Sequence, residues 1–373
     1  MENHLQTVAV AMSGGVDSSV ATLLLKQQGY DVIGVHLKLF DTPPDTETCV
    51  RSCCSEESSI RARLVCAELD IPFYVLNYRD TFEEYVIKPF AREYMAGRTP
   101  NPCIACNQWI KFDILLSQMC ATGADFIATG HYIRKIRNLD RWELFRGKDN
   151  IKDQTYFLYM LTQDILDHIL FPLGDYQKSE IRKIASDNNM IVAKQPESQE
   201  ICFAMSDSYS NIIRSMFPGQ IHDGPIIDRS GKILGTHKGI INYTIGQRRG
   251  LGIAAPDPLY VLEIRPQDNV IVVGPKEDVF SDGLIFSDES WVSGEGPTAG
   301  SRVEVQIRYN TSPKPAIFEG EVEIKGQVKK GLGISFESPQ PAVTPGQAVV
   351  LYDGDKLLGG GVIMESTYKS VNT

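Results

Sequence analysis

Apolar and polar positions along this chain follow two rhythms. From residue 6 to about 130, short apolar runs alternate with longer stretches in which apolar residues recur at helical spacing. "QTVAVAM" at 6–12 is a continuous run and predicts a strand buried on both faces. Val20, Leu23 and Leu24 then predict a helix over Val16–Gln28, stopped at Gly29. "YDVIGVHL" (30–37), "FYVLN" (73–77) and "ADFIATG" (124–130) predict three more strands. Between them, helices are predicted over Ser55–Leu69, with Ser55 as its cap and Pro72 beyond its end, over Asp80–Met95, and over Asn107–Ala121. Strands that alternate with helices of this length need crossover connections. The pattern therefore predicts an α/β doubly wound parallel sheet. A helical stretch is expected beyond it, clearest in "QTYFLYML" (154–161) and Gln177–Asn188.

The rhythm changes near Pro218. "GPIIDRSGKILGT", "NVIVVG", "SRVEVQIRY" and "QAVVLYDGDKLLGGGVI" are β-rich runs separated by Gly, Pro and Asp turns. They predict small antiparallel β domains, the last barrel-like. The expected division is 1–217 for the α/β domain with its helical extension, 218–285 for a central β domain and 286–373 for a C-terminal β-barrel.

Composition is that of an ordinary globular protein of 373 residues, 42% hydrophobic and 23% charged. No apolar run reaches the roughly 18–20 residues of a membrane span. Met1–Ala11 lacks the basic start and apolar core of a secretory signal, so the cytosol is the expected compartment. The net charge of −10 excludes a general polyanion binder but leaves room for local basic patches. Two windows stand out: Arg134 to Lys152 has seven Lys/Arg against three acids, and Arg229 to Arg249 has five and none.

The chemistry begins where the first strand meets its helix, at Ser13-Gly14-Gly15-Val16-Asp17-Ser18-Ser19. Paired glycines let backbone N–H groups face a ligand, serine hydroxyls add donors, and a helix N-terminus favours anions. Such a cradle sits where open α/β sheets bind ligands. No Lys follows the second Gly, so this is not the loop of the ATP hydrolases. "GLGIAA" at 250–255 has dinucleotide-like spacing but follows Arg-Arg rather than a strand, and is set aside. The Ser13–Ser19 segment resembles the signature of the N-type ATP pyrophosphatases. That resemblance implies cleavage of ATP between its α- and β-phosphates and adenylation of a carbonyl oxygen.

Six further segments occur in order: "GRTPNPCIACNQWIKFD" (97–113), "ATGHY" (128–132), "KDQTYFLY" (152–159), "ESQEICF" (197–203), "TIGQRRGLGI" (244–253) and "PGQAVVLYDGD" (345–355). With the ATP loop they are similar to the tRNA 2-thiouridylase family over essentially the whole chain. The resemblance implies replacement of the 2-oxo oxygen of a tRNA wobble uridine by sulfur. The implied partners are tRNAs with Glu, Gln and Lys acceptors and a sulfur donor such as a cysteine desulfurase or relay protein. It implies ATP contacts by Ala11, Met12, Ser13, Gly14, Gly15, Val16, Asp17, Ser18, Leu37 and Gly130. It implies tRNA contacts by Asn101, Pro102, Cys103, His131, Lys152, Asp153, Gln154, Arg308, Tyr309 and Gln347. Cys202 matches the family's persulfide carrier and Cys106 its nucleophile or resolving thiol.

Elementary chemistry agrees with these assignments. The 2-oxo oxygen must become a leaving group, which adenylation provides. A persulfide is then a suitable sulfur nucleophile, and a second thiol must resolve the resulting disulfide or release sulfide by exchange. A carboxylate beside phosphates needs a cation, so Asp17 is expected to act through Mg²⁺ on the pyrophosphate leaving group. Arg248 and Arg249, in a Gly-flanked stretch, are expected to reach the tRNA backbone.

Cys103 stands where the best-known branch of the family has Asp. Cys103, Cys106 and Cys202 thus form an alternative set, three thiolates able to hold a [4Fe–4S] cluster with one open iron. Both the cluster and the persulfide reading stay open at this point. Cys49, Cys53 and Cys54 are read as loop thiols, Cys66 and Cys120 as packing residues, and Tyr156, Phe157 and Tyr159 as core. Two rival functions remain: a small-molecule adenylating synthetase of the same superfamily, and a non-catalytic RNA-binding module. The first would need neither reactive cysteines nor an RNA-contacting β domain, and the intact ATP loop argues against the second.

Overall fold

In the computed structural model, residues 5–41, 55–196, 202–203, 209–323 and 330–367 are described. β1 (Thr7–Ala11), β2 (Asp31–Lys38), β3 (Phe73–Asn77), β4 (Phe126–Ala128) and β7 (Ile169–Leu170) form a parallel sheet in the order β3-β2-β1-β4-β7. Val8, Ala9 and Val10 of the central strand are buried on both faces, as the unbroken apolar run requires. The order turns outward in both directions from β1, so the crevice above β1 and β4 is the switch point where such sheets take ligands. α1 (Val16–Gln27) follows β1 directly, and α2 (Glu56–Glu68) is capped by Ser55, whose Oγ accepts from Ser58 N at 3.1 Å.

Two expectations change. The helix expected from Asn107 begins at Pro102 and runs to 121, with a wider turn over Cys106–Leu115. Asn101 is its cap, accepting from Cys103 N at 3.1 Å, and proline is favoured at the first helical position. The helical stretch expected after 130 is instead a hairpin, β5 (Ile133–Asn138) and β6 (Arg141–Arg146), turning at Leu139 with φ 51°. Of "QTYFLYML" only Thr155–Phe157 is a short helical turn, yet Tyr156 and Tyr159 are core residues as read. The helix Lys178–Asp187 is present, with Gln177 and Glu180 forming a capping box.

β8 (Gly224–Ile227), β9 (Ile233–His237), β10 (Tyr260–Arg265) and β11 (Val270–Gly274) make a second sheet, antiparallel except for the β8–β11 pair. β12 (Phe280–Trp291), β13 (Ser301–Gln306), β14 (Lys314–Glu323), β15 (Lys330–Pro341), β16 (Ala348–Asp353) and β17 (Lys356–Thr367) close into a six-stranded barrel through the β12–β17 pairing. The hairpin from the α/β part extends this barrel's sheet, with Lys356 and Leu357 of β17 opposite Phe145 and Leu144 of β6. One apolar cluster joins Val35 and Ile127 to Ile226 and Val261 of the second sheet and to Val350 and Tyr352 of the barrel. Among the described residues, no helix is long and apolar enough to cross a membrane.

Candidate functional site

The nucleotide loop is built almost entirely by itself. Gly14 has φ +69°, and a Cβ there would lie 2.2 Å from the Ser58 carbonyl oxygen, so only glycine fits against α2. Ser18 Oγ accepts from Ser13 N at 3.2 Å, and Ser19 Oγ donates to Gly15 O at 2.8 Å. Gly15 caps α1 without a side chain, which leaves the first N–H groups of the helix aimed at the crevice. Gly130, after β4, closes the far side, since a Cβ there would approach Ser18 N at 2.8 Å. Met12 and Leu37 are buried behind the loop, and Ala11, Ser13, Gly15 and Asp17 are partly open.

Two cations beside this loop were not foreseen. Lys178 Nζ, with its side chain only 10% exposed, contacts both Asp17 carboxylate oxygens at 2.8 and 2.7 Å. Tyr132 donates its hydroxyl proton to Asp17 Oδ1 at 2.6 Å. Arg61 of α2 donates from Nε to the Gly14 carbonyl at 3.2 Å. Lys178 carried a signal in the sequence that went unused: it opens a helix, where the macrodipole disfavours a cation unless an acid partners it.

Two of the candidate thiols lie on the 102–121 helix and the third in the short segment 202–203. Cys103 is exposed and Cys106 half-buried on the 102–121 helix. Cys202 is held through Phe203, whose ring lies 5.8 Å from Phe82 and 5.4 Å from Phe90 on the helical stretch 79–95. Cys106 and Cys202 pack against the same apolar core, and all five described cysteines are thiols. Burial pushes the Cys66 thiol up to about 11 and raises that of Cys120, which fits packing roles. Cys49, Cys53 and Cys54 lie outside the described residues. Among the described residues, no three Cys, His, Asp or Glu side chains are gathered to hold a metal.

The residues matched to tRNA contacts come from the start of the 102–121 helix and from four separate loops, and most have internal partners. Thr99, in the loop leading to Asn101, is clamped by the barrel: its N–H donates to Pro345 O at 2.9 Å, and Gln347 Nε2 donates to its carbonyl at 2.6 Å. A cavity of about 760 Å³ borders the Gly97–Arg98 end of this loop, lined also by Arg229, Arg265 and Glu365. His131 is buried against Phe112 and Phe171, with Nδ1 2.8 Å from Thr129 Oγ1. Burial, then the charge of Lys111, hold it well below the usual histidine range. Asp153 is buried and accepts from Thr155 Oγ1 at 2.6 Å and Gly147 N at 3.1 Å, with burial raising its pKa. Gln154 accepts from Tyr132 N at 3.0 Å, and Lys152 N–H donates to Asp149 O at 3.0 Å. Asp149 in turn accepts from Lys178 N at 2.9 Å, so the 149–154 loop reaches the nucleotide site through Tyr132 and Lys178. Arg308 donates to the Ala342 carbonyl, and Tyr309 packs 4.3 Å from Phe157.

The first basic window does not form a patch. Arg134 pairs with Asp355, Arg137 with Asp167, Arg146 with Asp153 and Lys148 with Glu180. Arg141 donates to Ser293 O, and Lys135 to Leu166 O and Ile169 O, with burial pushing Lys135 down to about 8. These cations tie the hairpin to its neighbours, because a strand edge joined to another sheet places them among carbonyls and acids. Arg248 and Arg249 are both exposed.

Comparison with known proteins bears on the whole chain. The family model described as "tRNA methyl transferase HUP domain" matches residues 6–206, "tRNA methyl transferase PRC-barrel domain" matches 211–275, and "Aminomethyltransferase beta-barrel domain" matches 281–363. The tRNA-specific 2-thiouridylase MnmA of Carboxydothermus hydrogenoformans is 47% identical over 363 residues, covering 95% of this chain and 97% of that protein. Its counterpart in Clostridioides difficile is also 47% identical over 363 residues, covering 96% and 98%. The chain belongs to the tRNA-specific 2-thiouridylase family. Among solved structures, the U34-tRNA thiolase NcsA from Methanococcus maripaludis with its [4Fe-4S] cluster matches 57% of this chain and 67% of its own, at 18% identity and TM-score 0.35. A 4-thiouridine synthetase–RNA complex with bound ATP matches 57% and 54%, at 14% identity and TM-score 0.34. Likenesses this distant bear on neither site nor chemistry.

Proposed function

We propose a division of labour for an enzyme whose activity, ATP-dependent 2-thiolation of uridine in tRNA, follows from its family. The observation that carries the proposal is the anion cradle at the switch point: an uncapped helix start beside a loop held by its own serine hydrogen bonds, with Lys178 and Arg61 alongside. ATP binds with its phosphates on the uncapped start of α1 and the Ser13–Ser18 loop. The uridine O2 attacks the α-phosphorus and pyrophosphate leaves. Lys178 and Arg61 supply positive charge beside the departing group, and Asp17 and Tyr132 hold the Lys178 ammonium in place. Asp17 is also the carboxylate that would hold Mg²⁺ there, where the ion would neutralise pyrophosphate charge.

For the sulfur step we take the persulfide route, in which Cys202 carries the sulfur and Cys106 resolves the linkage. The terminal sulfur of a Cys202 persulfide attacks C2 of the adenylated uridine and AMP leaves, giving a C2–S–S–Cys202 linkage. The Cys106 thiolate then attacks the Cys202 sulfur. The S–S bond breaks toward the base, leaving 2-thiouridine and a Cys106–Cys202 disulfide that a dithiol reduces. Asn101, Pro102 and Cys103 would meet the target base. Arg248 and Arg249 would meet the backbone of a tRNA bearing a wobble uridine, with Glu, Gln and Lys acceptors as the expected set. The sulfur comes from a persulfide-bearing donor protein, and chemistry that depends on reduced thiols fits a cytoplasmic location. The test is nucleoside analysis after incubation with ATP, unmodified tRNA and a persulfide donor. ATP-dependent 2-thiouridine is expected at the wobble position. ATP turnover that ignores tRNA and follows a small carboxylate would overturn the reading in favour of a synthetase.

A further inference from the structure

Outward from the thiols, the 102–121 helix carries a stripe that these roles do not use. Cys103, Trp109, Asp113 and Ser117 are exposed and Cys106 is half-buried, whereas Ile104, Asn107, Ile110, Phe112, Leu115 and Leu116 point inward. Trp109 follows Cys106 by three residues within the wider turns of Cys106–Leu115 and is exposed. Trp109 is 38% exposed and Tyr85, on the adjoining 79–95 stretch, is 44% exposed. Their rings lie 5.9 Å apart at 36°, forming one tilted aromatic surface.

Two half-open rings offer on the order of 200 Å² of apolar surface, far below the roughly 800 Å² per partner of a stable protein interface. That area suits a single nucleobase. The neighbouring charges do not suit phosphate: Lys88 is engaged by Glu84 at 2.8 Å and Glu83 at 3.6 Å, and Asp113 lies further along the stripe. A contact through a base face needs no cation. Chemistry at C2 of a uridine also takes that base out of its stack, so the nucleotide beside it loses a stacking partner. Trp109 lies on the same helix as Cys103 and Cys106.

We propose that Tyr85 and Trp109 form a stacking platform for an RNA nucleobase flanking the target uridine. The proposal rests on the tRNA-thiolation reading and adds a binding surface to it. The probes are two synthetic anticodon stem-loop RNAs with a wobble uridine, each carrying 2-aminopurine at one neighbour of that uridine. Binding and 2-aminopurine fluorescence are measured with the full chain and with the W109A, Y85A and W109F variants, whose folding is checked by circular dichroism. In the wild type, one of the two probes is quenched on binding. W109A weakens binding about tenfold and abolishes that quenching, Y85A weakens it about threefold, and W109F stays within about twofold of wild type. The salt dependence of binding is the same in all four proteins, because no phosphate contact is lost. Wild-type affinity and quenching in W109A would overturn the proposal. So would unchanged RNA binding with slower thiolation only when a protein supplies the sulfur, since the face would then belong to a protein partner. Failure of the wild type itself to bind either stem-loop would instead overturn the tRNA reading.

Discussion

The residues matched to ATP contact and those matched to tRNA contact are organised on different principles. In the loop matched to ATP contact, residues 13–19 bond to one another, so the loop's geometry is set by its own hydrogen bonds. Among the residues matched to tRNA contact, Gln154, Arg308 and Gln347 come from distant parts of the chain, and each is engaged by another part of the protein. The first arrangement binds by fixed donors. The second transmits position: Gln347 grips the loop that leads to Cys103, and the 149–154 loop reaches Asp17 through Tyr132 and Lys178. Residues matched to RNA contact can thus serve by holding the reacting groups in register.

Substitution can break this contrast at either end. The largest effect is expected from Asp17→Asn or Lys178→Ala, which should lower tRNA-dependent AMP release about 100- to 1000-fold while the circular dichroism spectrum is kept. Near-normal AMP release would mean that the pre-built charges are not used. Gln347→Ala should slow thiolation about tenfold with ATP affinity unchanged, since loosening the Thr99 clamp moves the loop that meets the base. If that variant instead loses tRNA affinity alone, Gln347 is a binding residue and the clamp is incidental. Replacing both Arg248 and Arg249 with Ala should weaken tRNA binding about fivefold and lower the salt slope by about two, without touching AMP formation at saturating tRNA. An unchanged slope would move the RNA backbone to another face.

Legibility in the sequence followed the same contrast. The ATP loop could be read because strand, turn and helix are contiguous, and Ser55, Gly29 and Pro72 punctuate the elements around it. The start of the 102–121 helix was legible in Asn101-Pro102, a cap followed by proline, but was overshadowed by the cysteine pair that follows. The 133–146 hairpin depends on β17, two hundred residues away, to pair with β6, and local periodicity carries no trace of that partner. Its cations looked like an RNA patch because charge counted along the chain ignores the carbonyls and acids brought alongside by folding. Cys106 and Cys202 were found by resemblance, since nothing local in the sequence links residues so far apart in the chain.

The central claim is that adenylation and sulfur transfer are separate acts of separate sites. It is tested most directly by giving the Cys202→Ser variant α-labelled ATP and unmodified tRNA, then measuring label on the RNA and 2-thiouridine in the same sample. The account predicts adenylated tRNA approaching one per enzyme and no 2-thiouridine. Absence of label from the RNA in a folded variant that still binds ATP, or continued 2-thiouridine formation, would contradict it.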